Sequence, residues 1–135
     1  MSQIEKLHDR ILGVYAGVSF GDAFGMPYET MKQVDIMKQN DGQGALYYAD
    51  PVQTRNDDTK DMKLGDTTDD WQLTQAVNLS LVQARGLDMH HQAMTHIQTM
   101  QASTFGWGKG TMQSLEELRT GKRLVGEEPL QVGQG

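Results

Sequence analysis

The chain has 135 residues, 12 Lys plus Arg against 18 Asp plus Glu, and a formal net charge of −6, which suits a single domain and argues against a general nucleic-acid binder, whose footprint is a basic face. With no cysteine in the sequence, disulfides, thiolate metal sites and a cysteine nucleophile are all excluded. No apolar run approaches the roughly 18 residues of a membrane span and the N-terminus has no signal-peptide profile, so a cytoplasmic protein that does not enter a membrane is expected.

The apolar content is unusual. Leu, Ile, Val and Phe together make 27 of the 135 residues, while Gly contributes 15 and Met 9. That share lies near the one-fifth level where independent folding becomes doubtful, and it predicts a thin, soft core.

The first element is a helix. Ser2 followed by Glu5 has capping-box spacing, and Ile4, Leu7, Ile11, Val14 and Val18 recur every three or four residues. Along the same helix Gly13, Gly17, Gly21 and Gly25 recur at steps of four. Each costs roughly 1 kcal/mol of helix stability relative to Ala, so the row implies either close helix packing or the approach of another backbone or a ligand. Met26-Pro27 ends the helix, because the residue before a proline leaves the helical region. Glu29 follows in the exit loop, where it is either simply solvated or able to swing over a site as an acid or base. Asp22, set among Gly21, Ala23 and Gly25, reads as a cap or helix-end contact.

A short helix is expected over Met31–Met37. From residue 39 to 66 the chain is a long polar loop, beginning with the turn residues Asn40, Asp41, Gly42 and Gly44; loops of this length are functional or disordered. Ala45-Leu46-Tyr47-Tyr48 offers the sole candidate for brief strand pairing. Seven acids fall between Asp50 and Asp70. A second long helix starts at Thr67 or Thr68, with a stripe of Leu73, Ala76, Val77, Ser80, Leu81 and Ala84, and ends at Arg85-Gly86. Asp88 caps a third, carrying Met89, Ala93, Met94, Ile97 and Met100. His90 and His91, in its first turn, are expected to face solvent, and neither they nor His8 and His96 are given a role. After the turn Phe105-Gly106-Trp107-Gly108-Lys109-Gly110, a fourth helix runs from about Thr111 to Gly121. No internal repeat is present, and the class is all-α.

Chemistry concentrates in Gly65-Asp66-Thr67-Thr68-Asp69-Asp70. Hydroxyl and carboxylate oxygens are hard ligands, suited to Mg²⁺, Mn²⁺ or Ca²⁺ rather than zinc. The competing reading is structural: Thr67 with Asp70 is itself a capping box, and acids in a first turn complement the helix dipole. Three adjacent residues cannot fill an octahedral shell, so other ligands have to come from elsewhere. The Gly106–Gly110 turn offers backbone N–H groups and an aromatic face, fit to hold a phosphate or stack on a base, or else to serve as a plain interhelical loop. It is not a P-loop, since no Gly-Lys-Ser/Thr follows.

Taken in order, these pieces resemble the N-terminal half of the ADP-ribosylglycohydrolase family, the dinitrogenase-reductase-activating glycohydrolase type. Leu12 through Glu29, with Gly17, Gly21-Asp22-Ala23, Gly25 and Glu29, is similar to the family's G-x-x-x-G-D-A-x-G-x-x-x-E opening. Thr68-Asp69-Asp70 is similar to its [ST]-D-D metal motif, and Gly106-Trp107-Gly108 to its glycine-aromatic-glycine loop. The resemblance implies an all-α orthogonal helical bundle with two Mg²⁺ ions in a cleft (Mn²⁺ as a substitute), and a hydrolase that removes ADP-ribose from arginine or serine side chains or cleaves related compounds. It makes Thr68, Asp69 and Asp70 metal ligands and Glu29 the loop carboxylate at the scissile bond. Asp69 shares the catalytic assignment, and Asp22, Gly106, Trp107 and Gly108 are placed with the substrate. The implied partners are an ADP-ribosylated protein or an ADP-ribose-containing small molecule, with a second copy of the chain or a C-terminal half as candidate protein partners; a non-catalytic ADP-ribose-binding or interaction module is the alternative. Two departures stand out. Trp71 occupies a position where many members have Thr or Ser, which reshapes the pocket wall. The family's second motif, Asp-x-Asp-Thr/Ser, has no counterpart after Asp70, so the expectation is a single, incomplete domain over 1–135 that binds Mg²⁺ weakly.

Overall fold

Helix α1 starts where its capping residues put it. In a computed structural model that describes residues 2–50 and 61–127, Ser2 Oγ accepts from the Glu5 N–H at 3.2 Å and the Ser2 N–H donates to Glu5 Oε2 at 2.6 Å. This satisfies donors that the first helical turn would otherwise leave without partners. Helix α1 spans Gln3–Gly25 and passes into a 3₁₀ turn over Met26–Tyr28, the break that Pro27 predicts. The short α2 spans Gln33–Gln39, two residues later than its sequence signal. Then come α3, Asp69–Gln83, α4, Met89–Ala102, and α5, Lys109–Arg119. Among the described residues there is no strand, so the protein is all-helical as expected. Residues 51–60 of the predicted polar loop lie outside the described residues.

Contacts divide the chain into two units, Met1–Asp70 and Trp71–Gly135. In the first, Ala23, Pro27, Tyr28 and Met62 are buried. The Phe24 ring meets Tyr48 edge-on at 5.5 Å and Tyr28 at 6.3 Å. Ala45–Tyr48 does not pair as a strand. Its tyrosine tethers the loop differently, the Tyr48 hydroxyl donating to the Phe20 carbonyl at 3.4 Å, while the Tyr28 hydroxyl lies 3.3 Å from the Tyr47 carbonyl. The glycine row of α1 does not mark close packing: a Cβ built on Gly13, Gly17, Gly21 or Gly25 meets no described atom within 4 Å. Ile4, Leu7, Leu12, Val14 and Phe20 on this helix are exposed, the thin core that the composition foreshadows.

In the second unit Ile97, Trp107 and Leu115 form the core, with Leu73, Met100, Met112 and Leu118 packed on it. The periodic stripes therefore hold only in part. Ala76, Ser80 and Ile97 are buried, whereas Met89 and Met94 stay exposed. Helix α3 closes in a Schellman arrangement, Gly86 N–H to Leu81 O at 3.0 Å and Arg85 N–H to Val82 O at 3.3 Å. The left-handed residue in it is Arg85, at φ 55°, rather than the glycine that usually takes this place. Asp88 caps α4 as expected, its Oδ1 accepting from the His90 and His91 N–H groups at 2.9 and 3.0 Å. His90 is exposed as expected, whereas His91 is half-buried. The His91 ring Nδ1 lies 2.9 Å from the Oγ of Ser80, a residue only 2 % exposed, so a histidine in the first turn of α4 reaches a buried hydroxyl on α3. At the end of α5, Glu117 and Arg123 form an ion pair at 3.4 Å with both side chains largely buried, and Arg123 Nη2 also donates to the Ser114 carbonyl at 3.0 Å.

Candidate functional site

The site belongs to the first unit and forms where the end of α1 meets the segment leading into α3. Asp22, in the last turn of α1, and Thr68, just before Asp69, are 9 % and 6 % exposed. The Thr68 N–H donates to Asp22 Oδ2 at 2.8 Å and the Thr68 hydroxyl to Asp22 Oδ1 at 2.6 Å. Both carboxylate oxygens thus grip one residue, at lengths typical of charge-assisted hydrogen bonds. A buried carboxylate needs such donors to offset its loss of water.

The approach to Thr68 is set by a turn. Gly65 adopts φ 88°, a left-handed conformation that glycine takes without steric cost. The Lys63 N–H donates to Asp66 Oδ2 at 2.8 Å, and the Asp66 N–H to the Lys63 carbonyl at 3.0 Å. Asp66 is therefore used in shaping the loop, while Thr68, Asp69 and Asp70 line a cavity of about 320 Å³. The opposite wall comes from α1 and its exit, through Gly21, Gly25, Met26, Tyr28 and Glu29. Gly21 and Gly25 leave that wall bare, since nothing described lies within 4 Å of where their Cβ atoms would stand.

Glu29 is exposed and caps the 3₁₀ turn, its N–H donating to the Met26 carbonyl at 3.1 Å. Thr30 follows at φ 61°, a left-handed angle that few non-glycine residues adopt. Partial burial, reinforced by repulsion from Asp69 and then Asp22, pushes the Asp70 carboxyl above the usual carboxylate range. Like charges gathered in this way favour anything that brings positive charge, a proton or a cation.

The hard-oxygen donors of Thr68, Asp69 and Asp70 suit a divalent cation of the Mg²⁺ type, and the Thr68 hydroxyl has its proton committed to Asp22. They would make only a partial shell. Among the described residues, no group of three or more His, Cys, Asp or Glu side chains is gathered to hold a metal by itself.

The glycine-aromatic-glycine turn belongs to the second unit. Trp107 is 5 % exposed within the core, and its Nε1–H donates to Gln72 Oε1 at 2.8 Å. Gly106 is left-handed at φ 72°, and Gly108 is the N-cap residue of α5. Sequence reasoning missed the Asp22–Thr68 clasp, the turn-closing use of Asp66 and the Ser80–His91 contact. The first could have been suspected from an acid placed among small residues at a helix end.

These features define an all-helical protein in which a hydroxyl and paired carboxylates at a helix start open onto a cavity. The ADP-ribosylglycohydrolase family model matches residues 3–135, and the chain belongs to that family. No curated protein and no solved structure gives a significant match. Membership carries glycohydrolase activity in general and ADP-ribose-containing substrates as a class. No helix among the described residues is long and apolar enough to cross a membrane.

Proposed function

We propose that the cavity between the α1 exit and the α3 start takes part in divalent-cation-assisted hydrolysis of a bond to the anomeric carbon of ADP-ribose, on a modified side chain such as arginine or serine or in a related small molecule. The observation that carries this reading is the Thr68 hydroxyl, fixed by Asp22 at 2.6 Å and lining one cavity with Asp69, Asp70 and Glu29. Thr68, Asp69 and Asp70 would hold Mg²⁺, or Mn²⁺ in its place, with the remaining ligands of a two-ion site drawn from outside this segment. When bound, such ions supply fixed positive charge that orients ribose hydroxyls and a water.

The chain's own residues do the rest. Asp69 faces the reacting region as ligand and electrostatic partner. Glu29, exposed on a turn that Pro27 and Tyr28 anchor, is available to hold a proton at its carboxylate or to take one from water, as cleavage at an anomeric carbon requires of a positioned carboxylate. The Trp107 indole is used in the core of the second unit, where it donates to Gln72, so the substrate role that the resemblance gives the Gly106–Trp107–Gly108 turn is not carried into this proposal.

The test is ADP-ribose affinity by equilibrium dialysis, with excess Mg²⁺ and with a chelator. Binding that needs Mg²⁺ and is lost in Asp69→Asn is expected. Equal binding in chelator, or no binding in either condition, contradicts the reading.

A further inference from the structure

We infer that Asp22 is a positioning residue for the cation site, one that sets the polarity of the Thr68 hydroxyl; this rests on the reading of Thr68 as a ligand given above. A threonine hydroxyl has one proton to donate and two lone pairs to offer. A cation can be bound only through the lone pairs, so the proton has to be directed elsewhere. Asp22 provides that direction. Its Oδ1 takes the hydroxyl proton at 2.6 Å while its Oδ2 takes the Thr68 backbone N–H at 2.8 Å. The two bonds fix both the side chain and the main chain of the residue that opens α3. Both partners are almost fully buried, so water competes little for the arrangement. Asp22 also lies in α1, 46 positions from Thr68 in sequence, which ties the cation-facing oxygen to a long helix instead of to its own loop.

The chemistry of the isosteric amide makes this testable. In Asp22→Asn the backbone N–H of Thr68 still requires an acceptor and claims the amide oxygen. The amide NH₂ is then left facing the Thr68 hydroxyl and donates to it, so the hydroxyl proton has to turn away, toward the cavity. The volume of the side chain is nearly unchanged while the polarity of the ligand oxygen is inverted.

The experiment is Mn²⁺ titration of the full chain, followed by the electron paramagnetic resonance of free Mn²⁺, for the wild type, Asp22→Asn, Thr68→Val, Thr68→Ser and the double variant Asp22→Asn/Thr68→Val. Wild-type binding that Asp69→Asn abolishes establishes the cation site itself. Given that, Asp22→Asn is expected to weaken binding roughly 10- to 100-fold, the usual range for residues that orient ligands. Thr68→Ser should stay within a few-fold of wild type. Asp22→Asn should have a much smaller effect in the Thr68→Val background, where there is no hydroxyl to orient and only the loss of its negative charge is felt.

If wild-type chain shows no Mn²⁺ binding sensitive to Asp69→Asn, the cation-site reading fails. If wild type binds but Asp22→Asn binds equally well, or if Asp22→Asn weakens binding as much in the Thr68→Val background as in wild type, the positioning role is overturned while the site stands. A second measurement needs no variant. The Thr68 hydroxyl proton should be visible by NMR as a slowly exchanging, downfield resonance that persists when Mg²⁺ is added; its absence, or its loss on adding Mg²⁺, contradicts the inference.

Discussion

The indole N–H of Trp107 donates to Gln72 Oε1 at 2.8 Å, joining the turn before α5 to the first part of α3 within the second unit. Trp107 also lies in the core with Ile97 and Leu115. A buried indole with its one donor satisfied is a structural anchor. Trp107→Phe should lose the bond and some volume, costing about 1–2 kcal/mol; Trp107→Ala should cost about 3–5 kcal/mol. Chemical denaturation of the two variants checks this, with helicity and tryptophan emission as probes.

Arg85 closes α3 in a left-handed conformation, at φ 55°. A side chain there costs roughly 1–2 kcal/mol, and the greater freedom of glycine in the unfolded chain offsets part of that gain. Arg85→Gly should therefore stabilise the protein by about 0.5–1 kcal/mol. A rise in melting temperature is the expected result.

Asp88 links the stability of α4 to pH. The His91 N–H, followed by that of His90, holds its carboxyl below the usual carboxylate range. A group with a lowered folded-state pKa stabilises fully above its unfolded value and loses that contribution as pH falls through the lowered one. Asp88→Ala should speed amide exchange in the first turns of α4 at neutral pH. The difference from wild type should shrink on acidification below about pH 4.

Asp70 has the opposite sign. Burial first, then repulsion from Asp69 and Asp22, raises its pKa, so the folded protein binds this proton more tightly than the unfolded chain does. The penalty is present in full above the raised pKa and is relieved as pH falls toward the ordinary carboxylate value. At pH 7 without divalent cations, Asp70→Asn should melt slightly higher than wild type, a small effect because the group is largely solvated. With Mg²⁺ the order should reverse, since the cation stabilises only the protein that binds it. Paired melting curves in chelator and in Mg²⁺ read both outcomes.

Much of the fold was legible because its signals are local. The Ser2/Glu5 box, Pro27, the Asp88 cap and the Arg85-Gly86 end all act within a few residues, and each boundary fell within about two residues of its signal. What stayed hidden depends on distant partners. Asp22 reads as a helix-end acid until Thr68 arrives to use both its oxygens, and His91 reads as a surface histidine until the buried Ser80 hydroxyl is placed beside it. The glycine row left both close packing and the approach of a ligand open; no described atom closes on it, and Gly21 and Gly25 leave a cavity wall bare. Trp107 shows the limit of motif reading, since glycine-aromatic-glycine spacing says nothing about whether the ring faces a ligand or the core.

Thr68, Asp69 and Asp70 are proposed to receive a divalent cation together, weakly, because they furnish only part of a shell. Paramagnetic broadening of backbone amide signals by trace Mn²⁺ tests this most directly. Amides around Thr68–Asp70, Asp22 and Glu29 are expected to broaden first, excess Mg²⁺ to reverse the effect and Asp69→Asn to abolish it. Broadening centred on other acidic segments, or none at Thr68–Asp70, would contradict the proposal.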